Sequence, residues 1–224
     1  MMKTAAHIFS YIFHPLFILT YMTLVLLWTN PFSFGFRHVA EADTLLIIVV
    51  MTTITLPGIA IIMMKMLGWL KTFQMETRHE RIGPYIVSGI AYLTLYLHVS
   101  KADFPGSIRI ATLGVLIGLW ACFFLNNVFK VSTHAAGMGG MVAMVTLTKL
   151  HYGYEEAQIG LPGGINLVLS IDYLLYGTIL LAGIVCTSRL LLNAHESKEV
   201  YTGFILGVLG ICLAYFVLTP GVNL

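Results

Sequence analysis

Charge is what this chain has least of. Asp, Glu, Lys and Arg together make up 10% of its 224 residues, against about 25% in an ordinary soluble domain. With 58% hydrophobic residues and a mean hydropathy of +0.88, that scarcity excludes a soluble globular protein and leaves one integral membrane domain over residues 1–224. The net charge of +2 excludes the broad basic surface that nucleic-acid binding needs, so no nucleic-acid partner is expected. Cysteine is sparse too. Cys122, Cys186 and Cys212 lie singly in apolar runs, without the paired spacing of a disulfide or zinc site. Internal repeats and low-complexity tails are lacking. No small-x-small cleavage site follows the first apolar run, so a retained first helix is expected rather than a signal peptide.

What is present is a series of apolar runs long enough to cross a bilayer, near 8–29, 44–69, 83–99, 108–128, 133–149, 169–187 and 199–220. Lipid offers no partner for loose backbone groups, so these runs are expected to be helices. The expected fold is an all-α, polytopic transmembrane bundle of about seven membrane-embedded helices, crossing six or seven times. Breakers separate the runs at Asn30-Pro31, Gly83-Pro84, Pro105-Gly106 and Leu161-Pro-Gly-Gly164. The runs at 83–99 and 133–149 are short, and either could begin inside a protein-lined cavity.

Counting crossings from the N-terminal side puts segments 70–82, 129–132 and 188–198 on one face of the membrane. These carry the most polar clusters of the chain: KTFQMETRHERIGP (71–84), KVSTHAAGMGG (130–140) and SRLLLNAHESKEVYTG (188–203). In the last, His195 and Glu199 are four residues apart and share a helical face. A carboxylate there can hold one ring nitrogen and leave the other free to attack or exchange a proton; the plainer reading is a solvated helix start. In the middle cluster, Ser132 or Thr133 can cap a glycine-rich helix whose N-terminal N–H groups suit phosphate. The same residues also read as a cap and a close-packing face, with His134 at headgroup level. In the first cluster, Lys71, Arg78 and Arg81 are either positive-inside residues or, for the arginines, forks that match phosphate oxygens. Together the clusters hold the parts for phosphoryl transfer through a phospho-histidine, and lack the dense carboxylates of a two-metal phosphatase.

These residues resemble the type 2 phosphatidic acid phosphatases, a superfamily of membrane lipid-phosphate phosphatases related to vanadium haloperoxidases. The family's third motif is S-R, five residues, H, three residues, D; Ser188-Arg189, His195 and Glu199 match it, with Glu for Asp. Its P-S-G-H motif is similar to Val131-Ser132-Thr133-His134. Its K, six residues, R-P motif is similar to Lys71 and Arg78, with His79 in place of Pro. Arg81, with Pro84 close behind, can share or replace the role of Arg78, and Lys130 is a further candidate ligand. In the family the first two motifs usually share one loop, whereas here two apolar runs separate them. The motif-bearing core covers roughly 71–205.

The resemblance implies that His195 attacks phosphorus in line, that Glu199 orients it, and that His134 protonates the leaving alcohol and then activates water. It implies that Lys71, Arg78, Arg81, Lys130, Ser132, Thr133 and Arg189 supply the phosphate-binding groups, with no metal or other cofactor. A bell-shaped pH profile is expected, because His195 must be neutral and His134 protonated. The implied partner is a lipid phosphate reached from the bilayer: phosphatidate-like, a polyprenyl phosphate or diphosphate, or a lipid A phosphate. Lys and Arg favour the motif face by eight to four on these spans, but five of the eight are candidate ligands and the remainder carries no signal. Family habit implies a bacterial inner membrane with the site facing away from the cytoplasm. Two other readings are a catalytically inactive relative that binds phospholipid headgroups, and a small transporter or channel, for which polar residues would spread through the membrane depth.

Other polar residues have structural readings: Arg109 pairing with Asp172, Asn126-Asn127 capping a helix end or bonding between helices, Tyr152 to Glu156 as a solvated loop, and His14-Pro15 reaching either an interface or the site.

Overall fold

A computed structural model describes residues 2–75, 77–161 and 165–220; the Pro-Gly-Gly breaker at 162–164 lies outside them. The described chain is almost all helix. In order come α1 (Met2–Ile12), α2 (Pro15–Thr29), α3 (Asp43–Val50), α4 (Leu56–Met66), α5 (Ile82–Lys101), α6 (Gly106–Asn126), α7 (Thr133–Leu150), α8 (Ile171–Leu191) and α9 (Ser197–Leu218). Among the described residues, five helical stretches are long and apolar enough to cross a membrane: the stretch Pro31–Met66, and those of α5, α6, α8 and α9. The pair α1 and α2, bent by 62° at its junction, makes a sixth if counted as one span.

The run at 133–149, expected as a span, forms the helix α7 but is not apolar enough to count among these spans. It is the central helix, packed on α2, α6, α8 and α9. Its small residues meet those neighbours rather than lipid, so it needs less apolarity than a lipid-facing span. The tightest contact is with α9. A Cβ added at Gly139, Gly203 or Gly207 would fall inside van der Waals contact of the backbone carbonyls of Phe204, Ser132 and Ala136 respectively.

Local sequence explains the irregularities. Between α3 and α4 the helix widens into a π turn, Met51–Thr55. There Thr52 and Thr53 donate to the carbonyls of Ile48 and Val49 at 2.7 and 2.8 Å, and Pro57 brings no backbone N–H to the ladder. The bend between α1 and α2 falls at His14-Pro15: proline opens α2 at a position where its missing donor costs nothing, and His14 is the N-cap.

At the far end from the polar clusters the structure departs from expectation. Glu156 is expected in a solvated loop and 169–170 at the start of a span; instead β1 (Glu156–Leu161) and β2 (Ile165–Ser170) pair antiparallel, with Glu156 opposite Ser170. Asp172 pairs with Lys149, not Arg109. Asn126 bonds between segments, its amide donating to the Arg78 carbonyl at 3.0 Å.

Candidate active site

Five helices end around one cavity of about 140 Å³. The N-terminal turns of α2, α5 and α7 and the C-terminal turn of α8 reach it, and so does the connection into α9 through His195. Its polar lining includes His14, Arg81, Tyr85, Thr133, His134, Arg189 and His195, with Gln74, Ser88 and Tyr92 beside them. Residues from all three polar clusters, from Phe73 to His195, thus meet at one end of the bundle.

The third cluster is built around His195. It lies between α8 and α9, buried, and its Nδ1–H donates to Glu199 Oε2 at 2.7 Å. A carboxylate can only accept here, so Nε2 carries the ring's lone pair. Glu199 has a second task. Its carboxylate also accepts from the Glu196 N–H at 3.3 Å, and Glu196 and Glu199 form the capping box of α9. The i,i+4 spacing therefore serves both the helix start and the imidazole. Burial first, then the cations of Arg81, Arg189 and Lys130, hold the His195 pKa down at about 3, so the ring is neutral at physiological pH.

The second cluster enters through α7. Ser132 is its N-cap, its hydroxyl accepting from the Ala135 N–H at 3.4 Å. The Ser132 N–H donates to the Glu199 carbonyl at 3.2 Å, which ties the α7 start to the α9 start. Ser132 is buried and does not line the cavity, whereas Thr133 and His134 do. The Nε2–H of His134 donates to the Ser10 carbonyl at the end of α1, at 3.1 Å. Its ring sits edge-on to that of His14, 5.3 Å between centroids at 84°.

The first cluster divides. Arg81 lines the cavity, pinned by bonds from Nε to the Met75 carbonyl and from Nη1 to the Val131 carbonyl, both 3.0 Å. Arg78 points elsewhere, its Nη1 donating to the carbonyls of Asn127 and Val128. Lys71 is exposed; its N–H donates to Glu80 at 2.8 Å and its carbonyl accepts from Lys65. Lys130 donates to the Ala194 carbonyl at 3.2 Å, bracing the loop that carries His195. Neither Lys71, Arg78 nor Lys130 lines the cavity.

Two buried donors at the cavity's residues have no protein acceptor: Arg189 Nε and the Tyr85 hydroxyl. Buried donors in a folded protein are normally matched, and an anion in the cavity would match both kinds. Tyr85 is a site residue that sequence reasoning missed, although it directly follows Gly83-Pro84 at a helix start, one turn after Arg81. No group of His, Cys, Asp and Glu side chains suited to a metal occurs among the described residues; two guanidiniums lining one cavity with imidazoles suit an oxyanion. A smaller, apolar cavity of about 50 Å³ adjoins, sharing Pro15, Tyr92, Leu119 and Thr133 with the first.

A scan against protein-family models, a search of curated proteins and a search of solved structures each return no match.

Proposed function

We propose that the chain is an integral membrane phosphatase that hydrolyses the phosphate monoester or diphosphate of a lipid through a phospho-histidine. One observation carries the reading: the Nε2 lone pair of His195, set by the bond from Nδ1–H to Glu199, belongs to a cavity that also holds Arg81, Arg189 and His134. That is a nucleophile, its orienting carboxylate, cations for the phosphoryl oxygens and a second imidazole.

In the proposed sequence the phosphoryl group rests against Arg81, Arg189 and the N–H groups at the start of α7, where the helix dipole favours an anion. His195 Nε2 forms the N–P bond as the bond from phosphorus to the lipid oxygen breaks. The departing oxygen keeps that electron pair and takes a proton from protonated His134. Neutral His134 then removes a proton from water, whose oxygen attacks phosphorus and restores His195. Most of the barrier reduction comes from holding charge at the three equatorial oxygens. The adjoining apolar cavity offers room for hydrocarbon next to the phosphate, which favours an amphiphile over a soluble ester. The proposed setting is a bacterial inner membrane with the site away from the cytoplasm.

The test is phosphate release in detergent from a panel of phosphatidate, polyprenyl phosphate and diphosphate, and lipid A phosphate, with and without chelator. The expected result is chelator-insensitive release from at least one lipid, lost in His195→Ala and reduced by about 10²–10⁴ in His134→Ala. Full turnover by His195→Ala would overturn the mechanism. A headgroup-binding protein without turnover is the second reading, favoured by the bond that occupies His134 Nε2; it predicts lipid-phosphate protection against heating with no release.

A further inference from the structure

We propose that His14 is a phosphate-binding residue of this site, donating its Nε2–H to a phosphoryl oxygen; the inference rests on the function proposed above. Three observations place it. The 62° break between α1 and α2 falls at residues 13–14, so the turn brings His14 to the cavity, which it lines. Its Nδ1 accepts the Leu16 N–H at 3.4 Å as the cap of α2. Its ring meets that of His134 edge-on at 5.3 Å.

Tautomers then divide the work. A neutral imidazole has one N–H and one lone pair. His195 spends its N–H on Glu199 and His134 spends its N–H on the Ser10 carbonyl, so each is left with a lone-pair nitrogen. Those suit attack on phosphorus and removal of a proton from water, but neither can hold a phosphoryl oxygen while neutral. His14 is the reverse case. Its lone pair is committed to the helix cap, so its remaining nitrogen is an N–H. That makes it the neutral imidazole donor of the cavity, complementing the guanidiniums of Arg81 and Arg189. No proton changes hands at His14 in this role.

The prediction separates capping from donation. In His14→Ser the hydroxyl can still cap α2, but no donor reaches the cavity. In His14→Gln the side-chain amide N–H can stand near the position of Nε2 and cannot titrate. Losing a hydrogen bond to a charged group costs a factor of about 10 to 100. His14→Ser is therefore expected to lose about that factor in kcat/KM with an unchanged melting midpoint, and His14→Gln to recover most of it. Equal activity in wild type and His14→Ser overturns the proposal; so does His14→Gln as impaired as His14→Ser, which would mean that titration and not donation matters. Inorganic phosphate provides a readout independent of turnover. Its protection of the wild type against heating is expected to need about tenfold more phosphate in His14→Ser, even if no lipid in the panel is hydrolysed. Absence of protection in the wild type, or the same phosphate dependence in both, contradicts the assignment.

Discussion

At the scale of single residues, one hydrogen bond sets the chemistry of His195. Glu199 fixes the tautomer, while burial and the surrounding cations keep the ring neutral with a pKa of about 3, against an ordinary value of 6.5. Between those values the unfolded chain binds a proton that the folded chain refuses, so stability falls as pH falls through that window and is fully present above it. The slope approaches about 1.4 kcal/mol per pH unit. The melting midpoint in detergent should therefore drop more steeply from pH 7 to pH 5 in wild type than in His195→Gln; parallel curves would contradict a buried neutral His195. The spacing of Ser188-Arg189, His195 and Glu199 made this part of the site legible in the sequence, because the i,i+4 relation survives wherever the helix starts. Arg78 and Arg81 were not separable, because spacing alone does not say which way a guanidinium turns. Arg81 reaches the cavity, and Arg78 bonds to carbonyls at the end of α6.

At the scale of elements, glycine decides how close α7 and α9 come, and so how near His134 and His195 stand. Gly207→Ala would drive a methyl group into the Ala136 carbonyl. Overpacking of that kind costs about 1–3 kcal/mol, and separating the helices would also impair turnover. Gly183→Ala on α8 meets nothing within 4 Å and should be neutral or stabilising by about 0.5–1 kcal/mol. Thermal unfolding of the two variants checks the contrast; equal midpoints would remove the close-packing account. The helices were legible from apolar length, but 8–29 read as one span, whereas the chain breaks by 62° at His14-Pro15 into α1 and α2. The hairpin was not legible. INLVLS (165–170) is a short apolar run that periodicity alone does not assign to a strand, and its last two residues read as the start of the span that forms α8.

At the scale of the whole molecule, counting crossings placed the polar clusters on one face, and their residues do gather at one end of the bundle. What the count could not supply was the bent first pair. The carbonyl of Ser10 and the ring of His14 both come from before the first proline and both meet His134. Sequence distance hides such contacts, because only the packing of α1 on α8 and of α2 on α7 brings them together. With the cavity's guanidiniums and imidazoles gathered at one end of the bundle and the adjoining cavity apolar, the proposed headgroup site accounts for the arrangement better than an ion path through the membrane depth.

The most direct measurement is capture of the covalent intermediate. Wild-type protein is mixed with a hydrolysed lipid labelled in its phosphate, quenched in alkali, where a phosphorus–nitrogen bond survives, and mapped by peptide mass spectrometry. The account predicts label on His195, discharged by acid and absent from His195→Ala. Turnover that leaves no label on His195, or label on another residue, would contradict it.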